Sequence, residues 1–343
     1  MVSATNGADI AVTMTLRTLP PATGPWSHHV SAVLQRRALG RPKTLPYDRF
    51  DDDAQYAWFL LNCASYQGWE GVDEDVEWDP QVLALRRRFE HWFLDEMRRR
   101  CTDGPVEPRE AVRHALAPGS TPGIASFLEH DGTALQVRES LLLRLPYQHQ
   151  EADPHTWVVP RLRGDVKRAL CDIQAGEYGV GHARTHAELF LTALAGAGGP
   201  TTSEVYPMLP GAAFATFNFL TAVGLNRSLR GAAIGQLALF EMDSVDPNQK
   251  MVHACERLGF PADVTEFFRV HVLADAEHEV IAARAFLDDY PREEPDQVDN
   301  LLFGIRVQSY IDGVLGSHAV GAWTEGGSAL RAPSPMFVAR PAA

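Results

Sequence analysis

The residues best suited to metal chemistry lie in the run His271-Val-Leu-Ala-Asp275-Ala-Glu-His278. The surrounding sequence has helical periodicity from about Ala262 to Leu287, and each helical residue advances about 100° around the axis. Spacings of four and seven residues therefore place His271, Asp275 and His278 on one helix face. Imidazole nitrogens with a carboxylate form a ligand set for iron, and also for zinc or manganese. A helix with scattered surface histidines is the alternative for this motif taken alone.

A second carboxylate and imidazole, Glu177 and His186, lie near an apolar helical segment. Nine residues of unbroken α-helix would turn these two side chains to opposite faces. Binding one metal ion together therefore requires the helix to end or rewind between them. Gly179 and Gly181 permit such a break, although an ordinary helix end followed by a turn explains the same glycines.

Two more glutamates are candidates of a weaker kind. Glu151 ends a predicted helix just before a proline-containing turn, where a glutamate taken alone would be interpreted as a surface residue. Glu241 shares a face of an apolar helix with Ile234 and Leu237. Burying a carboxylate there costs several kcal/mol unless a cation or hydrogen bonds compensate. A helix-end glutamate turned to solvent is the alternative for Glu241.

Three ordered motifs together resemble a known family. They are Tyr147-Gln-His-Gln-Glu151-Ala-Asp-Pro-His-Thr-Trp157, the Glu177-Tyr-Gly segment that ends in His186-Ala-Glu-Leu-Phe190, and the run from His271 to His278. The sequence resembles the haem-oxygenase-like diiron oxidases, and within them the iron-containing N-oxygenases related to the central domain of the streptozotocin N-nitrosourea synthase. The resemblance covers about residues 121–325 and implies an all-α, haem-oxygenase-like helical bundle.

The resemblance also implies a ligand set for two iron ions. Carried over by position, the set is Glu151, Glu177, His186, Glu241, His271, Asp275 and His278. The interval between Glu177 and His186 is one residue shorter than the family pattern, so His182 competes for the histidine role. His186 is favoured because the Ala-Glu-Leu-Phe190 that follows it also matches the family.

The resemblance implies an enzyme that oxidises its substrate with O2 at two Fe(II)/Fe(III) ions. In the N-oxygenase branch, a primary amine or amidine-like nitrogen of a small amino-acid-like metabolite becomes a hydroxylamine, nitroso or nitro product. Oxidation at carbon, as in decarboxylation, desaturation or C–C cleavage of a fatty or amino acid, is the alternative on this scaffold. A non-catalytic iron-binding protein would also explain the ligands. No flavin or nicotinamide fingerprint is visible, so we predict an external electron donor.

Other metal proteins fit the sequence less well. Ferritin-like bundles use a Glu-x-x-His signature on two helices, and no such pair is found. One axial histidine suffices for haem, which would leave the clustered carboxylates without a role. The pair His278-Glu279 does not extend to the His-Glu-x-x-His pattern of zinc hydrolases.

The elements that must position these residues are predicted to be helices. Strand-like alternation is nearly absent, and apolar stripes at helical spacing occupy 134–148, 164–176, 185–195, 211–224, 231–242, 262–289 and 298–323. Upstream, Asp79-Pro80 is typical of an N-cap with proline at the first helical position, and Arg98 to Arg100 suit the end of that helix. We predict a mobile or draped arm at 1–45 and an N-terminal helical accessory segment at 46–120. The diiron domain is predicted at 121–325 and a C-terminal tail at 326–343.

Composition excludes several partners. The net charge of −13 repels phosphates, which argues against nucleic acid. No apolar run reaches the roughly 18 residues that span a bilayer, and no secretion signal begins the sequence, so we predict a cytoplasmic protein without a membrane partner. Four widely spaced cysteines are predicted to be reduced and mostly buried. Related proteins often dimerise, which suggests a homodimer.

Overall fold

Helices account for most of the residues that the structure describes. The computed structural model describes residues 16–37, 40, 44–117, 119, 123–181, 183–200 and 202–331. The α-helices are α1 (Pro25–Leu34), α2 (Asp52–Cys63), α3 (Pro80–Arg100), α4 (Pro108–Ala115), α5 (Ile124–His130), α6 (Ala134–Gln148), α7 (Asp153–Thr156), α8 (Gly164–Glu177), α9 (His186–Gly196), α10 (Gly211–Leu225), α11 (Arg230–Met242), α12 (Val245–Arg257), α13 (Ala262–Ala282), α14 (Tyr290–Glu293) and α15 (Val298–Thr324). A π-helix at Ala283–Asp289 extends α13, and 3-10 helices lie at Glu74–Trp78, Val159–Arg161, Ser203–Met208, Arg227–Leu229 and Pro295–Gln297.

The predicted all-α class is confirmed. In the described ranges, the β-type pairing is limited to an isolated bridge between Thr18 and Glu70. The predicted cap of α3 is also confirmed, because the Asp79 carboxylate accepts a hydrogen bond from the backbone N–H of Gln81 at 2.8 Å and Pro80 begins the helix. The described part contains no helix that is both long and apolar enough to cross a bilayer.

The N-terminal segment needs a correction. Residues 1–45 were predicted to form a mobile or draped arm, yet Pro25–Leu34 within them forms α1. Its helix start is held by Asp53 of α2, whose carboxylate accepts hydrogen bonds from the backbone N–H groups of Trp26 and Ser27 at 2.6 and 3.0 Å. This carboxylate comes from the next helix, so the local sequence shows only Pro25 at the first helical position. Residues 1–15, 38, 39 and 41–43 lie outside the described residues.

One hydrophobic core extends from Leu16 to Leu330 and joins the N-terminal helices to the later ones. The closest helix contact in it is between α11 and α15. A Cβ atom on Gly235 would lie 2.0 Å from the Leu301 carbonyl oxygen, and one on Gly304 would lie 2.0 Å from the Ala232 carbonyl oxygen. Any larger residue would force these two helices apart, so the glycines set the distance between two walls of the cavity described below.

The cysteines agree with their prediction. Within the described residues all four are free, and Cys63, Cys101 and Cys255 are buried while Cys171 is exposed. Burial raises the pKa of Cys255 to about 12, so this thiol is neutral and unreactive at ordinary pH.

Candidate metal centre

Helix α13 buries one face, and this face carries three of the candidate ligands. Its buried residues include His271, Asp275 and His278, at the predicted spacing of four and seven residues. Apolar side chains such as Phe267 and Ala282 continue the same face along the helix. Hydrophobic packing of α13 therefore carries the three polar side chains into the core together.

The break predicted between Glu177 and His186 is present. Helix α8 ends at Glu177, and Gly179 then adopts a φ of +73°, where a Cβ atom would lie 2.5 Å from the Arg184 carbonyl oxygen. Thr185 starts α9, because its hydroxyl accepts a hydrogen bond from the backbone N–H of Glu188 at 3.1 Å. The reversal brings His186 Nδ1 to 2.6 Å from Glu177 Oε2. The competitor His182 lies outside the described residues.

Glu151 reaches the same place from a turn. Helix α6 ends at Gln148, so Glu151 is not the helix end that the sequence predicted. It precedes Ala152, which has a positive φ of 72° and directs the chain into α7. The Gln148 side-chain amide donates to both carboxylate oxygens of Glu151. Glu151 Oε1 then lies 3.6 Å from His271 Nε2.

All seven predicted ligand residues come together in two adjoining groups. The first cluster is Glu151, Glu177, His186 and His271, and the second cluster is Glu177, Glu241, Asp275 and His278. Within each cluster the candidate ligand atoms lie within 4.8 Å of one another. Glu177 belongs to both, because its Oε2 faces His186 while its Oε1 lies 3.3 Å from His278 Nδ1.

The spacing of these atoms fits a bound cation. His278 Nδ1 is also 3.4 Å from Glu241 Oε2 and 3.5 Å from Asp275 Oδ1. Ligand atoms about 2.1 Å from an ion, at angles of roughly 90° to 110°, would lie about 3.0 to 3.4 Å from each other. The inward nitrogens of His186, His271 and His278 are buried and face carboxylate oxygens, but none of these contacts has hydrogen-bond geometry in the described structure. Buried polar atoms seldom lack partners, and a metal ion would supply one.

The electrostatics also favour a cation. Burial raises the pKa of Glu151, and it raises that of Glu241 to about 8. Burial alone would lower the pKa of His271 and His278, but the surrounding carboxylates raise these values to about 10 and about 12. For Glu177, contacts with the histidines outweigh burial and hold its pKa below the usual range. Without a cation, protons must therefore balance the buried carboxylates.

A surrounding layer of contacts orients these side chains. The Nδ1–H of His271 donates to the Phe267 carbonyl oxygen at 2.8 Å, which leaves Nε2 free to face Glu151. The Ser244 hydroxyl donates to Asp275, and the Asn248 amide donates to Ser244 at 2.8 Å. Sequence reasoning missed Ser244 and Asn248, since nothing in their spacing links them to α13.

Gly176 is another residue that sequence reasoning missed. A Cβ atom there would lie 2.8 Å from His278 Nε2, so only glycine leaves room for this imidazole ring. The signal was visible as a glycine inside an otherwise continuous helix, immediately before the candidate Glu177.

A cavity of about 810 Å³ opens onto both clusters. Glu151, Glu177, Glu241, His271 and Asp275 contribute to its wall. A second group of lining residues is Tyr147, Phe240, Arg144, Asp243 and Asp312. The cavity is large enough for a small metabolite and places it beside the candidate ligands.

Tyr147 lines the cavity, and its surroundings fix its protonation state. Its ring packs edge-on against Phe240, with centroids 5.3 Å apart. Burial, followed by the nearby carboxylates, raises the pKa of Tyr147 well above its usual value. Its phenol therefore keeps its proton and can act as a hydrogen-bond donor to a group in the cavity.

Comparison with known proteins agrees with this chemistry. A protein-family model described as iron-containing redox enzyme matches residues 138–310, just over half of the chain, and this region includes all seven candidate ligands. A search of the curated proteins found no match.

Proposed function

This chain belongs to the iron-containing redox enzyme family, and from that premise we propose that it is a diiron oxygenase that uses O2 to oxidise a nitrogen of a small amino-acid-like metabolite. Family membership supports the iron and the oxidoreductase role. The observation that carries the diiron proposal is the pair of clusters that share Glu177 and open on one cavity.

In this proposal each cluster would hold one iron ion, and Glu177, which belongs to both clusters, would contribute a ligand to both sites. Glu151, His186 and His271 complete the first site. The remaining ligands of the second site are Glu241, Asp275 and His278. When bound, iron supplies the chemistry that no side chain here can supply, the transfer of electrons to O2.

The protein's own contribution is to position the substrate and control protons. The cavity walls hold the substrate against the clusters, and Tyr147 offers a protonated hydroxyl to polar atoms within the cavity. Oxidation of an amine to a hydroxylamine places one oxygen atom of O2 on nitrogen and reduces the other to water. This reaction needs two electrons and two protons, so we propose an external reductase or small reductant as electron donor.

Oxidation at nitrogen, rather than at carbon, rests on Glu241. The resemblance to the N-oxygenase branch implies an additional carboxylate ligand at this position. The burial of Glu241, with Oε2 lying 3.4 Å from His278 Nδ1, supports this role. An extra anionic ligand places more negative charge at the second site, which is the electronic basis of the preference.

The test combines metal analysis with product identification. Protein loaded anaerobically with ferrous iron should bind two ions per chain and take up O2 faster when the correct amine is present. With isotopically labelled O2 and a reductant, mass spectrometry should find labelled oxygen on the substrate nitrogen. Asp275→Asn should lower iron content, whereas Glu277→Gln on the exposed face of the same helix should not.

Each component of the proposal has its own contrary result. One iron per chain at saturation would overturn the diiron centre. Iron binding without O2 uptake in the presence of any amine would indicate a non-catalytic iron protein. Uptake stimulated by carboxylic acids, with a product altered at carbon and a slower rate on deuteration at that carbon, would favour the carbon-oxidising alternative.

A further inference from the structure

One arginine lines the cavity without a partner. Arg144 shares a face of α6 with Tyr147 and Gln148, at spacings of three and four residues, and all three contribute to the cavity wall. Within the described residues, no acceptor lies at hydrogen-bond or ion-pair distance from its guanidinium. Other partly buried arginines do have such acceptors: Arg138 donates to the Ala197 carbonyl oxygen at 2.6 Å, and Arg161 donates to the Leu225 carbonyl oxygen at 2.8 Å.

The surroundings of Arg144 favour an anionic ligand. Burial lowers its pKa, while the charges of Asp312, Glu151 and Asp243 act in the opposite direction. A guanidinium titrates so far above neutral pH that it stays charged even here. A buried charge without a close partner is costly, and the planar fork of guanidinium donors matches a carboxylate. A carboxylate that enters the cavity would therefore find a preorganised partner.

A carboxylate of α15, that of Asp312, also lines the cavity and forms no ion pair among the described residues. Asp312 of α15 accepts a hydrogen bond from the Gln308 side-chain amide at 2.9 Å, and its exposed surface faces the cavity. Asp312 acts on Arg144 more strongly than the other carboxylates do, yet the two do not form an ion pair. The cavity wall next to Asp312 leaves open space, since a Cβ atom on Gly313 or Gly316, both of which line the cavity, would meet no atom within 4 Å.

We propose that Arg144 and Asp312 form a recognition site for the α-amino-acid group of the substrate, with Arg144 binding the α-carboxylate and Asp312 the α-ammonium. Arg144 lies about 6 Å along the axis from the end of α6 at Gln148, and Glu151 follows in the turn beyond that end. The α-carbon would thus lie away from the iron ligands, and the side chain would extend toward them. This inference rests on the proposed function and specifies it: the nitrogen oxidised is a side-chain nitrogen of an α-amino acid.

Binding calorimetry on the iron-loaded protein without O2 tests the carboxylate contact. The probes are L-ornithine, L-lysine and L-arginine, each beside its decarboxylated counterpart. We expect at least one amino acid to bind roughly 30- to 100-fold more tightly than its counterpart, as expected for a charged hydrogen-bonded pair. Arg144→Gln should remove this difference and leave iron content unchanged. Equal binding by the wild type and Arg144→Gln would overturn the proposal.

The ammonium contact has a parallel test. Asp312→Asn should weaken binding of the amino acid, with little effect on the analogue that lacks the α-amino group, such as 6-aminohexanoic acid for L-lysine. An equal loss of affinity for both ligands would contradict a specific ammonium contact. Arg168→Gln, at an exposed position on α8, is the charge-removal control.

Two glycine-to-leucine variants test the location of the site if the charge variants fold poorly. Gly313→Leu should block amino-acid binding while iron is retained, whereas Gly321→Leu at an exposed, open position on the same helix should bind normally. Normal binding by Gly313→Leu would overturn the location. Because these measurements exclude O2, they test the recognition site separately from the oxygenase activity. Arg144-dependent binding without amine-stimulated O2 uptake would contradict the oxygenase proposal. Amine-stimulated O2 uptake without Arg144-dependent binding would contradict the recognition site.

Discussion

The two clusters differ in both charge and construction. The first contains two carboxylates and two imidazoles, whereas the second contains three carboxylates and one imidazole, with Glu177 counted in each. The second cluster must therefore neutralise more negative charge in a comparable volume. This explains why its members include Glu241, with a pKa raised by burial to about 8, and His278, whose pKa is raised to about 12 by carboxylate contacts that outweigh burial. Two adjoining sites that differ in this way need not have equal affinity for a cation.

Their backbones differ as well. The first cluster takes Glu151 from a turn, Glu177 from a helix end and His186 from a helix start. The second cluster takes Asp275 and His278 from regular turns of α13. Helix periodicity fixes the relative positions of Asp275 and His278, whereas those of Glu151, Glu177 and His186 depend on breaks in the chain. Glu177 couples the two arrangements.

The largest effect is expected from changing the shared residue. Glu177→Gln keeps the shape of the side chain but removes the charge that faces both His186 and His278. We expect iron content to fall from about two ions to less than about one per chain, because both sites lose an anionic ligand. Metal analysis after anaerobic loading measures this, with circular dichroism to verify helical content. A variant that still binds two ions would show that Glu177 does not couple the clusters.

Variants that change only one cluster should lose about half as much iron as Glu177→Gln. His271→Ala changes only the first cluster, and Asp275→Ala changes only the second, so each should lose one ion and retain the other. Mössbauer spectra of the two variants should then show different single iron species, since the ligands that remain differ. Identical spectra, or full occupancy in both variants, would contradict the division into two clusters.

Ligands on one regular helix could be predicted from the sequence more completely than ligands next to chain breaks. Helical periodicity alone brought His271, Asp275 and His278 onto one buried face, as the structure has them. The meeting of Glu177 with His186 required a specific reversal, for which Gly179 gave a hint but no geometry. Glu151 was predicted as a helix end and lies in a turn, since the boundary is set by local contacts that periodicity does not encode.

Contacts between distant segments were the least predictable part. The α1 helix depends on Asp53, and Asp275 depends on Ser244, yet neither partner can be identified from local spacing. The same holds for Arg144 and Asp312, which come to one cavity only through the packing of the bundle. The domain boundaries, the dimer and the electron donor stay predictions.

Proton release should differ between the clusters as iron binds. At pH 7, the raised pKa values leave His271, His278 and Glu241 protonated in the metal-free protein, and a bound cation must displace these protons. We expect about three protons released per chain, most of them from the second cluster, and an affinity that increases with pH. Calorimetry in buffers of different ionisation enthalpy counts the protons. Affinity that is constant between about pH 6 and 8 would show that the metal-free clusters carry no excess protons.

The smallest effect should come from Ser244, and it should be confined to the second cluster. The Ser244 hydroxyl donates to Asp275 and is itself held by Asn248, so Ser244→Ala leaves Asp275 free to rotate but removes no ligand. Residues that orient a metal ligand typically contribute about 10- to 100-fold in affinity, and we expect a value near 10-fold. Stepwise removal of iron by a chelator should show one ion leaving more easily and the other unchanged. Ser309→Ala is the matched control, since Ser309 lines the same cavity and is not one of the candidate ligands. Equal weakening of both ions would mean that the effect of Ser244 passes through Glu177, and the clusters would then have to be treated as a single site.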